Sequence, residues 1–147
     1  MVGVSGSAGS VSTLRRALAE ARARGAAELR VVLAWQAPGG GLGGRAGGDA
    51  RVPQQCHEAS TARLRHLLDE VFGPEPLGSE PLGPAVVGLA VRATPGAALV
   101  ASANDPEDLI VLGAGQRNPL HRLLRPSVAR HCLTHAVCPV LSIPPTR

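Results

Sequence analysis

The chain has 147 residues, 44% of them hydrophobic and 18% charged, with a formal net charge of +4. That suffices for one packed domain and excludes an intrinsically disordered chain or one that needs a metal or disulfide to fold. The charge admits an anionic partner, but the arginines form no long run, and one Trp, one Phe and no Tyr leave few rings for base stacking, so nucleic acid is not expected.

Other features of the composition point the same way. All 15 Lys+Arg residues are Arg, which reads as the coding bias of a GC-rich bacterial genome and discounts arguments from arginine counts. With so few aromatics the core must be built from Ala, Val and Leu. Cys56, Cys132 and Cys138 are odd in number and lack CxxC spacing, so a reducing cytoplasm is the expected home. No apolar run reaches the roughly 18 residues of a membrane span, and no export signal opens the chain, so no membrane partner is expected.

In chain order, Met1 to Val4 reads as a short buried strand and Ser5 to Gly9 as a tight turn, with Ser10 as N-cap of a helix from Val11 to Arg24. Gly25 stops that helix. Leu29 to Trp35 is a continuous apolar run, the mark of a parallel strand covered on both faces. Positions 36–55 hold seven glycines and read as a flexible surface loop.

A helix is predicted over Cys56 to Phe72, with Ala59, Leu64, Leu67, Leu68 and Val71 on its inner stripe. Val86 to Val91 is the third strand, and Thr94-Pro95 opens a helix to about Ala103 as N-cap and first-turn proline. Asp108 to Gly113 is the fourth strand, with Asp105, Glu107 and Asp108 in the turn before it. Ser127 to Ala136 is the last helix, turning Val128, Cys132, Leu133 and Ala136 inward. Cys138 to Ile143 is the fifth strand, whose Pro139 suits an edge. Alternating strands and helices give an α/β fold with a parallel sheet, right-handed crossovers and a ligand crevice beyond the strands' carboxyl ends.

Three stretches carry a resemblance: Val2-Gly3-Val4-Ser5-Gly6-Ser7, Leu29 to Trp35, and Leu109 through Leu141 with its ending His135-Ala136-Val137-Cys138-Pro139-Val140. Together they resemble the universal stress protein family across residues 1–147 as a single domain. The resemblance implies a five-stranded parallel sheet of order 3-2-1-4-5 with helices on both faces. It also implies a homodimer through the fifth strand, a protein partner, and a non-enzymatic role in stress regulation. Family members carry several residues ahead of the Val-Gly-Val run, whereas Met1 here already stands in the strand.

Some members bind ATP in a G-x2-G-x9-G-[S/T] loop after the fourth strand. Carried onto this chain, the resemblance implies cofactor contacts at Gly3, Ser5, Ala34, Leu112, Gly113, Gly115, Gln116, Arg117, Arg125, Ser127 and Val128. The pattern is incomplete: Gln116 stands at the second glycine, Pro126 at the third, and Ser5 where ATP-binding members have Asp. Gly115 relieves the first departure by a one-residue shift, but proline has no N–H to offer a phosphate. A lost charge-assisted hydrogen bond costs about 1.5–3 kcal/mol. Two or three such losses weaken binding on the order of a thousandfold. The expectation is therefore a domain with ATP binding weakened or lost.

Two alternatives follow from other residues. Arg117, His121, Arg122 and Arg125 place positive charge in the same loop, the basis of a nucleotide-binding switch. Cys132, His135 and Cys138, with His131, have spacing that suits a thiol or metal sensor, although His135 and Cys138 belong to the family's ordinary ending and no metal ligand set is expected.

Overall fold

The structure, a computed structural model, describes residues 1–38, 51–73, 83–114 and 127–144. Their order is β1 (Val2–Val4), α1 (Ala8–Ala23), β2 (Glu28–Trp35), α2 (Arg51–Phe72), β3 (Ala85–Arg92), α3 (Pro95–Ser102), β4 (Ile110–Gly113), α4 (Val128–His135) and β5 (Val140–Ile143). All pairings are parallel and the sheet runs β3-β2-β1-β4-β5. This is the predicted strand order.

Side chains alternate across the central strands, and each set meets its own pair of helices. Leu29, Val31 and Leu33 of β2 pack with Leu14 and Ala17 of α1 and Leu64, Leu67 and Leu68 of α2. Val32, one residue out of step, joins Ala98 and Leu99 of α3 and Cys132 of α4 on the other face. The largest fully buried side chains are Leu14, Ile110, Val2, Val31, Val32 and Cys132, so the core holds no buried aromatic among them.

Several boundaries differ from those expected. Helix α1 starts at Ala8 with Ser7 as N-cap, not Ser10; Ser10 lies in the first turn, its hydroxyl accepting from the Ser5 N–H at 3.1 Å. Helix α2 starts at Arg51, so 51–55 are helical rather than loop, and Pro53 is tolerated because first-turn N–H groups lack intrahelical partners anyway. The remainder of that loop, 39–50, lies outside the described residues. Ala59 faces solvent instead of the core.

At the far end, β4 begins only at Ile110 and β5 only at Val140. Cys138 and Pro139 precede β5, and the Pro139 carbonyl accepts from the Ile110 N–H at 3.0 Å. Leu133 is the clearest misplacement: it is 69% exposed, one position off the stripe that buries Cys132.

Caps explain the turns that were placed correctly. Gly25 has φ +61°, a conformation open to glycine, and the Ala26 N–H reaches the Ala21 carbonyl at 2.9 Å while that of Gly25 reaches Arg22 at 3.1 Å. Thr94 is the N-cap of α3 with Pro95 in its first turn. Among the described residues no helix is long and apolar enough to cross a membrane.

Candidate functional site

The chain leaves β1 toward β2 on one side and returns later to β4 on the other, so the switch point lies above β1 and β4. In such sheets ligands bind there, beyond the strands' carboxyl ends. The register sets Gly3 beside both Val32 and Leu112, bringing Gly3, Leu112 and the residues after them to one edge.

Ser5 follows β1 directly. Its hydroxyl lies 2.9 Å from that of Ser7 and 3.3 Å from that of Ser10. The hydroxyls satisfy one another, and Ser10 is buried. An uncharged cluster of three hydroxyls thus stands at the carboxyl end of β1.

The two glycines of this edge have packing reasons for their identity. A Cβ on Gly3 would stand 2.8 Å from Leu99 Cδ1, and one on Gly113 would stand 2.8 Å from Thr13 Oγ1. Thr13 is buried and donates to the Gly9 carbonyl at 2.9 Å, so it has no free space to yield. Close packing thus gives Gly113 a structural reason for its identity, and Gly3 a weaker one that rests on the terminal methyls of Leu99.

Of the remaining expected contacts, Leu112 is buried in the core, while Ala34 and Val128 are partly buried against it. Ser127 caps α4, its Oγ accepting from the Arg130 N–H at 3.3 Å. That helix has no acidic residue in its first turn. Gly115, Gln116, Arg117 and Arg125 lie outside the described residues, as do His121, Arg122 and Pro126.

Sequence reading missed a second concavity. A cleft of about 460 Å³ opens between α1 and α2, lined by Gly6, Ser7, Val11, Arg63, His66, Leu67 and Glu70. The spacing of Arg63, His66, Leu67 and Glu70 along one helix face was its available signal.

The sensor residues do not converge as a ligand set. His135 is exposed, stacks on His131 with centroids 4.4 Å apart, and places Nδ1 2.9 Å from the His131 carbonyl oxygen. Cys132 and Cys138 are buried, and no group of three or more His, Cys, Asp or Glu among the described residues is placed to hold a metal. Burial pushes both thiols up, with Cys138 adding to the effect on Cys132 and Asp108 to that on Cys138.

A raised thiol favours the neutral form in the fold, so this contribution holds below the ordinary thiol range and is lost as pH rises through the shifted value. Iodoacetamide at about pH 8 should therefore alkylate half-buried Cys56 first, with Cys132 and Cys138 slower by about tenfold or more until denaturant is added. Mass spectrometry of tryptic peptides reads the order directly. Equal labelling of all three would contradict the buried-thiol picture.

A doubly wound parallel sheet with its crevice at a β1/β4 switch point defines the Rossmann-like, nucleotide-binding α/β class. The chain belongs to the universal stress protein family, whose family model matches residues 1–144.

Solved structures share the fold. A universal stress protein in complex with cAMP is 24% identical with a TM-score of 0.66, covering 99% of this chain and 95% of that one. The universal stress protein UspA from Lactobacillus plantarum is 21% identical with a TM-score of 0.62, covering 97% and 95%. A universal stress protein from Archaeoglobus fulgidus is 24% identical with a TM-score of 0.51 over the same shares. No curated protein matches the chain.

Proposed function

We propose that this protein is a non-enzymatic regulatory domain of the universal stress protein kind, cytoplasmic, with ATP binding weakened or lost. The observation that carries the reading is Ser5: its hydroxyl is tied to Ser7 and Ser10 at the point where ATP-binding relatives offer a carboxylate. Pro126 adds a missing backbone donor in the phosphate loop. Without a ligand to carry the signal, the domain acts through association.

Association as a homodimer through β5 is supported by the position of that strand at the end of the sheet and by Leu133 and Val137, 69% and 62% exposed, on the segment leading into it. Exposed apolar side chains beside a free strand edge favour pairing with a second copy.

A second reading, a nucleotide switch using Gly113, Gly115, Ser127, Arg117 and Arg125, is favoured by the cAMP complex of a relative and by a first turn of α4 that carries no acidic residue. Differential scanning fluorimetry separates the two. Millimolar Mg-ATP or cAMP is expected to shift the melting temperature by less than about 2 °C, since a ligand near its Kd contributes only tenths of a kcal/mol. A shift of several degrees at micromolar nucleotide would establish the switch instead.

A further inference from the structure

The cleft between α1 and α2 carries charged groups that neither the fold nor the switch point uses. Its volume of about 460 Å³ falls within the roughly 300–1,000 Å³ of small-molecule sites. Buried Leu67 and half-buried Val11 line its apolar part. Arg63, His66 and Glu70 share the Leu67 stripe of α2, at helical spacings of three and four residues. Among the described residues, none of these three side chains makes a hydrogen bond or ion pair.

The turn between β1 and α1 fixes where the cation stands. Gly6 has φ +72°, and the space beside its Cα is taken by the Arg63 stem: a Cβ there would collide with Cδ and stand 2.7 Å from Cγ and 3.4 Å from Nε. The Arg63 side chain thus reaches from α2 to the Gly6-Ser7 end of the cleft. Glu70 lies seven residues further along α2, two turns or about 10 Å by the helical rise. The cleft therefore has a cation at one end, a carboxylate at the other and an apolar wall between them, with the His66 imidazole midway.

We infer that this cleft binds a small extended zwitterion, a short peptide whose terminal carboxylate pairs with Arg63 and whose terminal ammonium pairs with Glu70. An extended chain spans about 3.3–3.6 Å per residue, so three residues match the separation of the two charges. Small apolar side chains suit the wall of Val11 and Leu67. Glu70 repels a pure anion and Arg63 a pure cation, so selection rests on both heads together. The cleft lies on the face of the sheet opposite α4, and this ligand is distinct from any nucleotide at the switch point.

Amide correlation spectra of the isotopically labelled full chain, titrated with trialanine at constant ionic strength, should show saturable shifts at Gly6 and Ser7 and along α2 from Arg63 to Glu70. N-acetylated trialanine, which lacks the ammonium, and C-amidated trialanine, which lacks the carboxylate, should each bind more weakly. Arg63 and Glu70 are exposed, so Arg63→Gln and Glu70→Gln should fold, as circular dichroism checks. Arg63→Gln should weaken trialanine and its acetylated form by about fivefold and leave the amidated form unchanged; Glu70→Gln should weaken trialanine and the amidated form and leave the acetylated one unchanged. A wild-type spectrum without saturable shifts at these residues overturns the proposal, as do equal midpoints for the three peptides or midpoints for trialanine unchanged in both variants.

Discussion

Replacing Gly96 with Ala is expected to destabilise the protein by about 1–3 kcal/mol, although alanine is the better helix former by about 1 kcal/mol. The added Cβ would stand 2.7 Å from Cγ and Cδ2 of His131 and 2.9 Å from its Cβ. The His131 Cβ is fixed to the backbone of α4, so a rotamer change does not remove the clash. Helices α3 and α4 must separate, and Ser127 at the start of α4 moves with them.

Urea denaturation with a double-mutant cycle tests this. His131→Ala in the Gly96→Ala background should recover the part of the loss due to the ring atoms at 2.7 Å but not the part due to the Cβ at 2.9 Å, a partial coupling expected of residues in contact. A Gly96→Ala protein as stable as the wild type would mean that the two helices have slack at this crossing.

The second large effect is expected at the opposite end of the sheet. Arg30 of β2 donates to the Ser102 carbonyl at 2.5 Å and pairs with Asp108 Oδ1 at 2.5 Å, with Glu28 Oε1 at 3.2 Å from its Nε. One guanidinium thus joins β2, the end of α3 and the turn into β4. Asp108→Ala removes the more buried partner, its side chain 15% exposed against 28% for Arg30.

The loss is expected to be about 1.5–3 kcal/mol, the range for hydrogen bonds to charged groups, kept below that of a fully buried pair because Arg30 retains solvent and Glu28. Thermal melts of Asp108→Ala and of Arg30→Met with Asp108→Leu should show the double variant closer to wild type than the single one. A single variant within about 0.5 kcal/mol of wild type would reduce the pair to an ordinary surface contact.

Much of the fold was legible because local signals agreed with one another. The unbroken apolar run of β2 required cover on both faces, Gly25 marked a left-handed stop, and Thr94-Pro95 marked a helix start. The start of α2 was missed because Pro53 and the preceding glycines read as loop, although proline within a first turn costs the helix no hydrogen bond. Leu133 was misplaced because position 132 already fills the space between α4 and the sheet, and its neighbour is carried outward by the helical turn.

The candidate site was less legible than the fold. Gly113 fits a phosphate-binding pattern and Gly3 the Val-Gly-Val run of the first strand, yet each also packs closely, against Thr13 and Leu99 respectively, a contact no local pattern reveals. The pairing of Arg30 with Asp108 spans 78 residues, whereas the turn reading of Asp105, Glu107 and Asp108 accounted for the local bonds, the Glu107 N–H to Asp105 Oδ1 at 2.9 Å and the Asp108 N–H to the Asp105 carbonyl at 3.0 Å. Ser5 was legible as a substitution. Its engagement by Ser7 and Ser10 was not, because it depends on how the first turn of α1 folds back over β1.

That engagement is the centre of the functional account, and calorimetric titration of Mg-ATP into the wild-type protein tests it most directly. The account predicts no saturation below the millimolar range, as expected when two or three charge-assisted contacts are missing. One-to-one binding with a micromolar Kd would contradict it, and would mean that the switch point binds nucleotide without the carboxylate that Ser5 replaces.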